Sequence, residues 1–145
     1  VVKDAAGAGP GEAEAPVRVI GEKTVADLVE RVFVPVVEEG TAKDGRLETF
    51  RIAGKTGTAR KYDAAVDAYT RNYMASFVGF VPVDAPRLSM IVVLDTPKEA
   101  YYGGQVCAPV FSEIARQALR YLRVPPERAL PARVLTADAK RGDRP

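Results

Sequence analysis

Arg51-Ile52-Ala53-Gly54-Lys55-Thr56-Gly57-Thr58-Ala59-Arg60-Lys61 is the stretch on which the reading of this chain turns. Phe50 and Ile52 alternate with Arg51 and Ala53, the period of a strand. The run then passes into Gly-Lys-Thr-Gly-Thr, too rich in glycine for a packed core strand. The spacing predicts a strand over Glu48 to Ala59 whose far half is exposed for use. Gly54-Lys55-Thr56 also resembles the end of a phosphate-binding loop. That loop needs a glycine five positions before Gly54 and a helix directly after the Lys-Thr pair, so that backbone amides face phosphate. Thr49 stands at the first position and Gly57 follows the pair, which weighs against nucleotide binding.

The other chemistry open to this run is that of serine acyl-transfer enzymes built on Ser-x-x-Lys, Ser-x-Asn and Lys-Thr-Gly boxes. An edge strand offers unpaired backbone groups to which an extended peptide can add as one more strand. Gly57, lacking a side chain, lets a substrate backbone approach. Lys55 brings positive charge for proton transfer and for an anionic substrate, and Thr56 and Thr58 bring hydroxyl donors for a carboxylate. A backbone amide of such a strand can stabilise an oxyanion, worth about 3–4 kcal/mol per donor.

Outward from the strand, Val25, Leu28, Val29, Val32, Phe33, Val36 and Val37 recur at helical spacing and predict a helix. Thr24 is its expected N-cap, with Asp27 three residues on, and Gly40 its stop. Pro35 removes a backbone donor and should loosen the last turn. On the other side, Arg60 to Asn72 reads as a polar loop. Tyr73 to Val83 and Leu88 to Asp95 read as two strands joined at Asp84-Ala85-Pro86-Arg87, which makes a three-strand antiparallel meander. A second helix carries Val110, Phe111, Ile114, Ala115, Ala118, Leu119 and Leu122 on one face, with Pro109 in its first turn and Pro125-Pro126 beyond its end. Ala5 to Pro16 reads as a loop, and residues 127–145 as a flexible tail.

Composition removes several function classes. With 47% hydrophobic and 28% charged residues over 145, the chain suits one globular domain. A net charge of +2 is too small for a nucleic-acid footprint. Histidine is absent and Cys107 is the only cysteine, so the chain holds no Ser-His-Asp triad, no Cys-His pair and no His/Cys zinc site. Neither a metal nor another cofactor is expected. Cys107 is expected to be buried and inert. Apolar runs reach about eight residues, short of the ~20 that span a bilayer. Val1 opens the chain in mid-phrase, and the expectation is that it was cut from a longer protein.

Five segments, in order and spacing, resemble the C-terminal third of class B penicillin-binding proteins. They are Glu38-Glu39-Gly40-Thr41-Ala42-Lys43, the Arg51 to Lys61 run, Ala75-Ser76-Phe77-Val78-Gly79-Phe80-Val81-Pro82, Tyr101-Tyr102-Gly103-Gly104 and Ala108-Pro109-Val110-Phe111. The likeness spans roughly Val17 to Pro126 and is strongest to the septal cell-division transpeptidases. It implies an α+β fold, an antiparallel β-meander of three main strands with flanking helices, as part of the serine-β-lactamase/penicillin-binding-protein transpeptidase fold. Residues 1–126 would be the C-terminal portion of that domain.

By the same resemblance Lys55 and Thr58 are catalytic, the latter through its backbone amide as an oxyanion donor. Thr56, Gly57 and Thr58 bind substrate. The partners implied are peptidoglycan stem peptides, β-lactams and other division proteins, with a membrane anchor in a missing N-terminal part and a location on the periplasmic side of the inner membrane. The only serines, Ser76, Ser89 and Ser112, are followed three residues later by Gly79, Val92 and Ala115, so none opens a Ser-x-x-Lys box. Thr70 stands two before Asn72, the only asparagine, so the Ser-x-Asn box is missing too. The expectation is that this chain alone is inactive and that Leu88 to Leu94, lacking its neighbour, is an exposed sheet edge. A non-catalytic scaffold that has lost its nucleophile is the alternative of a different class.

Overall fold

In the computed structural model, which describes residues 18–128, the Lys-Thr-Gly run lies in the first strand of a three-stranded antiparallel sheet. Strand β1 is Ala53–Asp63, β2 is Ala68–Val81 and β3 is Leu88–Asp95, ordered β1-β2-β3. This is the expected meander, but with shifted bounds: β1 begins at Ala53 and not at Glu48, since residues 48–52 are bends and irregular chain, and β2 ends at Val81, before Pro82, and not at Val83. Gly54 faces Gly79, Thr56 faces Phe77 and Thr58 faces Ala75, while Phe77 in turn faces Val92. Among the described residues β1 and β3 are both edges.

One face of the sheet is covered by helix α4, Ala108–Tyr121. Phe77, Ala75 and Val81 meet Phe111, Ala115 and Leu119 there, all essentially sealed from solvent. The Phe77 and Phe111 rings meet edge to face with centroids 5.0 Å apart, a geometry worth about 0.5–1.5 kcal/mol beyond the area it buries. Cys107 is buried beside them. Its thiol is held above the usual range by burial, opposed in part by a backbone hydrogen bond at Leu94.

Three local expectations are corrected. Residues 60–72 are not a loop: β1 and β2 run on as a hairpin arm beyond the end of β3, leaving 64–67 as the turn. Side chains hold the arm, since the Arg60 guanidinium donates to the carbonyls of Thr70 and Tyr69, the Thr70 hydroxyl to that of Lys61, and Tyr62 meets Tyr69 edge on. A register irregularity between Arg60 and Tyr62 marks a bulge, which re-aims side chains locally. Lys61 there reaches Asp95 at the end of β3, 2.7 Å away.

The face of α4 is also shifted. Val110, Ile114 and Leu122 are exposed, and Ser112 is buried in their stead among Phe111, Ala115 and Leu119. Apolar periodicity missed this because the Ser112 hydroxyl is satisfied by the Gly45 carbonyl of a 3₁₀ turn at Lys43–Gly45.

The first helix is broken into α1 (Glu22–Leu28), a π-helical turn (Val29–Phe33) and α2 (Val34–Glu38). Gly21, not Thr24, is the N-cap, and no side chain caps it. Pro35 has no amide to give and its ring crowds the carbonyl four residues back, so the helix widens just before it. The Val34 amide accordingly reaches back five residues, to the Val29 carbonyl. That extra residue rotates the apolar stripe by about 100°. Val34 and Val37 enter the interior at 6% and 1% exposure, whereas Val25, Leu28 and Val32 stay 44%, 39% and 44% exposed. The expected stop at Gly40 stands, its amide bonded to the Pro35 carbonyl at 2.9 Å.

After α4 the chain returns to the root of β1. The amides of Glu127 and Arg128 both donate to the Thr49 carbonyl, at 3.0 and 3.1 Å. Arg128 pairs with Glu38 at 2.8 Å. Arg51 pairs with Asp84 and Glu30, and its guanidinium is held above its usual range, chiefly by the bond to Glu30. The expected loop at Ala5 to Pro16 and the rest of the expected tail, residues 129–145, lie outside the described residues.

Candidate functional site

Side chains alternate along a strand, so the residues named from the sequence fall on two sides of β1. Lys55 lies opposite Val78 and Gly57 opposite Ser76, on the face away from α4. Thr56 lies opposite Phe77 and Thr58 opposite Ala75, on the face that α4 covers. The four residues named from the sequence are therefore contiguous but divided, and a ligand that meets all of them must lie along the free edge of β1. Lys55 is exposed and its Nζ donates to the Thr56 carbonyl at 2.8 Å. Beside it a depression of about 180 Å³ is floored by Phe33, Gly54, Val78, Phe80 and Ser89.

Two segments distant in sequence hold the threonine side. The Gly103 amide donates to Thr58 Oγ1 at 3.2 Å, and Thr41 Oγ1 lies 3.0 Å from Thr56 Oγ1. Gly103 opens the short helix α3, Gly103–Val106, so Thr58 satisfies an amide that has no partner within that helix. Both glycines of this turn lie backbone against backbone. A Cβ on Gly103 would strike the carbonyl oxygens of Ser76 and Gly57, and one on Gly104 would strike that of Thr41. A Cβ on Gly57, in contrast, would meet only the Ser76 hydroxyl, which can rotate aside.

Tyr101 stacks on Tyr73 with ring centroids 4.2 Å apart, and Tyr102 leans on Tyr101 at 4.5 Å. The three rings stand next to the turn that bonds Thr58. The Tyr101 hydroxyl donates to that of Tyr102 at 3.4 Å and is raised above the usual phenol range by that bond first. Sequence reasoning gave Thr41 no role, set Ser76 aside as a nucleophile, and left the Tyr101-Tyr102-Gly103-Gly104 turn open between a tyrosine-packed helix entry and a place at the cleft rim. Their contacts were not marked, because those that matter are made through backbone atoms and a hydroxyl some fifteen or more residues away.

The phosphate-loop alternative does not survive. After Lys55-Thr56 the chain continues as strand to Asp63, so no helix N-terminus faces a phosphate. Ser112 is buried and committed to Gly45. Among the described residues no group of three or more His, Cys, Asp or Glu side chains is placed to hold a metal ion.

A family model described as the penicillin binding protein transpeptidase domain matches residues 11–116. The chain is 38% identical over 112 residues to stage V sporulation protein D of Bacillus subtilis, covering 77% of this chain and 17% of that protein. It is 35% identical over 119 residues to the peptidoglycan D,D-transpeptidase FtsI of Escherichia coli, covering 81% of this chain and 19% of that one. Among solved structures, the transpeptidase domain of Burkholderia pseudomallei penicillin-binding protein 3 superposes with a TM-score of 0.63 at 38% identity, over 73% of this chain and 32% of that one. The chain thus spans about a fifth of the length of these curated relatives. The Lys55 to Thr58 strand, the meander behind it and the glycine turn that braces it all lie inside the matched residues, and the chain belongs to the penicillin-binding-protein transpeptidase domain family.

Proposed function

We propose that this chain forms the substrate-holding wall of a peptidoglycan D,D-transpeptidase site whose nucleophilic serine lies outside these residues. The observation that carries this reading is the free edge of β1, with Lys55 on one side and the paired hydroxyls of Thr56 and Thr58 on the other. An extended peptide adds along that edge, and its terminal carboxylate takes the two threonine O–H groups. The Thr58 amide serves as one oxyanion donor, and Lys55 supplies charge beside the reacting groups.

The serine oxygen attacks the carbonyl of a D-Ala-D-Ala bond. The C–N bond breaks, D-Ala leaves carrying a proton, and the acyl group passes to the amine of a second stem peptide as the serine regains its hydrogen. A β-lactam opens by the same attack and stays attached. The intact protein, on this reading, works on the outer side of the cytoplasmic membrane beside other division proteins, held by an anchor beyond this chain. Among the described residues no helix is long and apolar enough to cross a membrane.

Labelling of the full-length protein with a fluorescent penicillin tests the reading. A covalent adduct that is lost on Lys55→Ala is expected. A folded full-length protein that takes no label would make it a scaffold and overturn the catalytic assignment.

A further inference from the structure

A carboxylate only accepts hydrogen bonds, so Thr56 and Thr58 can hold one only if both hydroxyl hydrogens point to it. For Thr58 the matter is decided by its partner. The Gly103 N–H donates to Thr58 Oγ1, which fills a lone pair and leaves the O–H free. The neighbour of Thr56 is Thr41, whose hydroxyl lies 3.0 Å away and has no other hydrogen-bond partner among the described residues. Thr41 is itself well anchored. The next amide, Ala42, donates to the Val36 carbonyl at 2.9 Å, and the Thr41 carbonyl is pressed against Gly104.

We propose that Thr41 is a positioning residue: its hydroxyl donates to Thr56 Oγ1 and so presents the Thr56 O–H to an anionic ligand group, as the Gly103 amide does for Thr58. A charged acceptor draws the Thr56 hydrogen more strongly than a neutral hydroxyl, and Thr41 then fills the lone pair that this leaves. The loop after α2 and the turn before α3 thereby set the polarity of both hydroxyls. This inference rests on the carboxylate-binding reading above and deepens it.

The test uses the full-length protein, Thr41→Val and Thr41→Ser variants, and two probes: a β-lactam with its free carboxylate and the methyl ester of the same compound. Thr41→Val is expected to slow acylation by the acid about fivefold to tenfold, the effect of one lost hydrogen bond between neutral hydroxyls. The ester rate should not move, and Thr41→Ser should restore the acid rate. The ester measured on the same sample corrects for any loss of folded protein. Equal slowing of acid and ester, or an unchanged acid rate, overturns the role given to Thr41. A wild type that shows no preference for the acid overturns the carboxylate reading itself.

Discussion

The Glu127 carboxylate accepts the backbone amide of Arg51 at 2.6 Å, joining residues 76 apart in the chain. Its other oxygen accepts the Asp84 amide at 3.0 Å, so one side chain pins both the root of β1 and the β2–β3 connection. Glu127→Ala leaves two amides without this partner and is expected to cost about 1–3 kcal/mol. Glu127→Gln keeps one oxygen acceptor and should cost less. Denaturant unfolding of the transpeptidase domain measures both, and equal stability of Glu127→Ala and wild type would count against the strap.

Gly57 and the Gly103-Gly104 pair respond differently to an added methyl group. Gly57→Ala meets only the Ser76 hydroxyl, so the fold should survive, and Gly57→Ala with Ser76→Ala should remove even that contact. Penicillin labelling should nonetheless fall at least tenfold, because on the proposed reading the methyl would stand beside the substrate's path, a misplacement of the kind that costs about 100-fold in rate. Gly103→Ala and Gly104→Ala run into backbone oxygens and should reduce the yield of folded protein. Circular dichroism and labelling, run together, separate the two outcomes.

Lys55→Ala removes the only charged side chain of the Lys-Thr-Gly box. Acylation by penicillin is expected to fall by about 100-fold or more, the usual contribution of a proton-handling group. Thermal unfolding should barely change, since Lys55 is exposed and its one hydrogen bond among the described residues goes to the adjacent residue's carbonyl.

Asp95 and Glu113 both titrate below the usual carboxylate range. The first is lowered chiefly by the hydrogen bond from Lys61, then by that from Thr96, and the second chiefly by Arg116, then by Gln117. A depressed carboxylate stabilises the folded form above its unfolded value, about pH 4, and that contribution is lost as pH falls through the lowered folded value. Both groups are on the surface, so the effect should be small and should shrink in about 1 M salt. Unfolding midpoints between about pH 2 and 5 test this, and Asp95→Asn should flatten the profile.

Cys107 is fully buried and its thiol is shifted upward. Iodoacetamide should leave it unmodified in the native protein and label it fully in denaturant, as read by mass spectrometry. Fast native labelling would show that the α4 interface opens.

How far the sequence speaks differs from element to element. β3 falls on Leu88–Asp95 as its composition says, because a short apolar run between turn residues has few other ways to pack. The Lys55 to Thr58 strand was legible because glycines and hydroxyls break an otherwise apolar pattern at one place. The first helix was harder, since a single proline inserts a π turn and moves the buried stripe onto Val34 and Val37. Ser112 was unreadable as an interior residue, because its partner is a backbone carbonyl 67 positions away. The contacts of Thr41 and Gly103 were unreadable for the same reason, since the partner of each lies far off in sequence.

The two-sidedness of β1 bears on how this strand can change over generations. On the proposed reading, the residue that handles protons and the residues that grip the ligand's charge face opposite ways, so either set can vary without crowding the other. Register is what cannot vary. Losing one residue between Ala53 and Lys55 would carry the lysine to the α4 side and the threonines to the open side, exchanging both roles at once. In this strand, point substitution is a gradual path and deletion is an abrupt one.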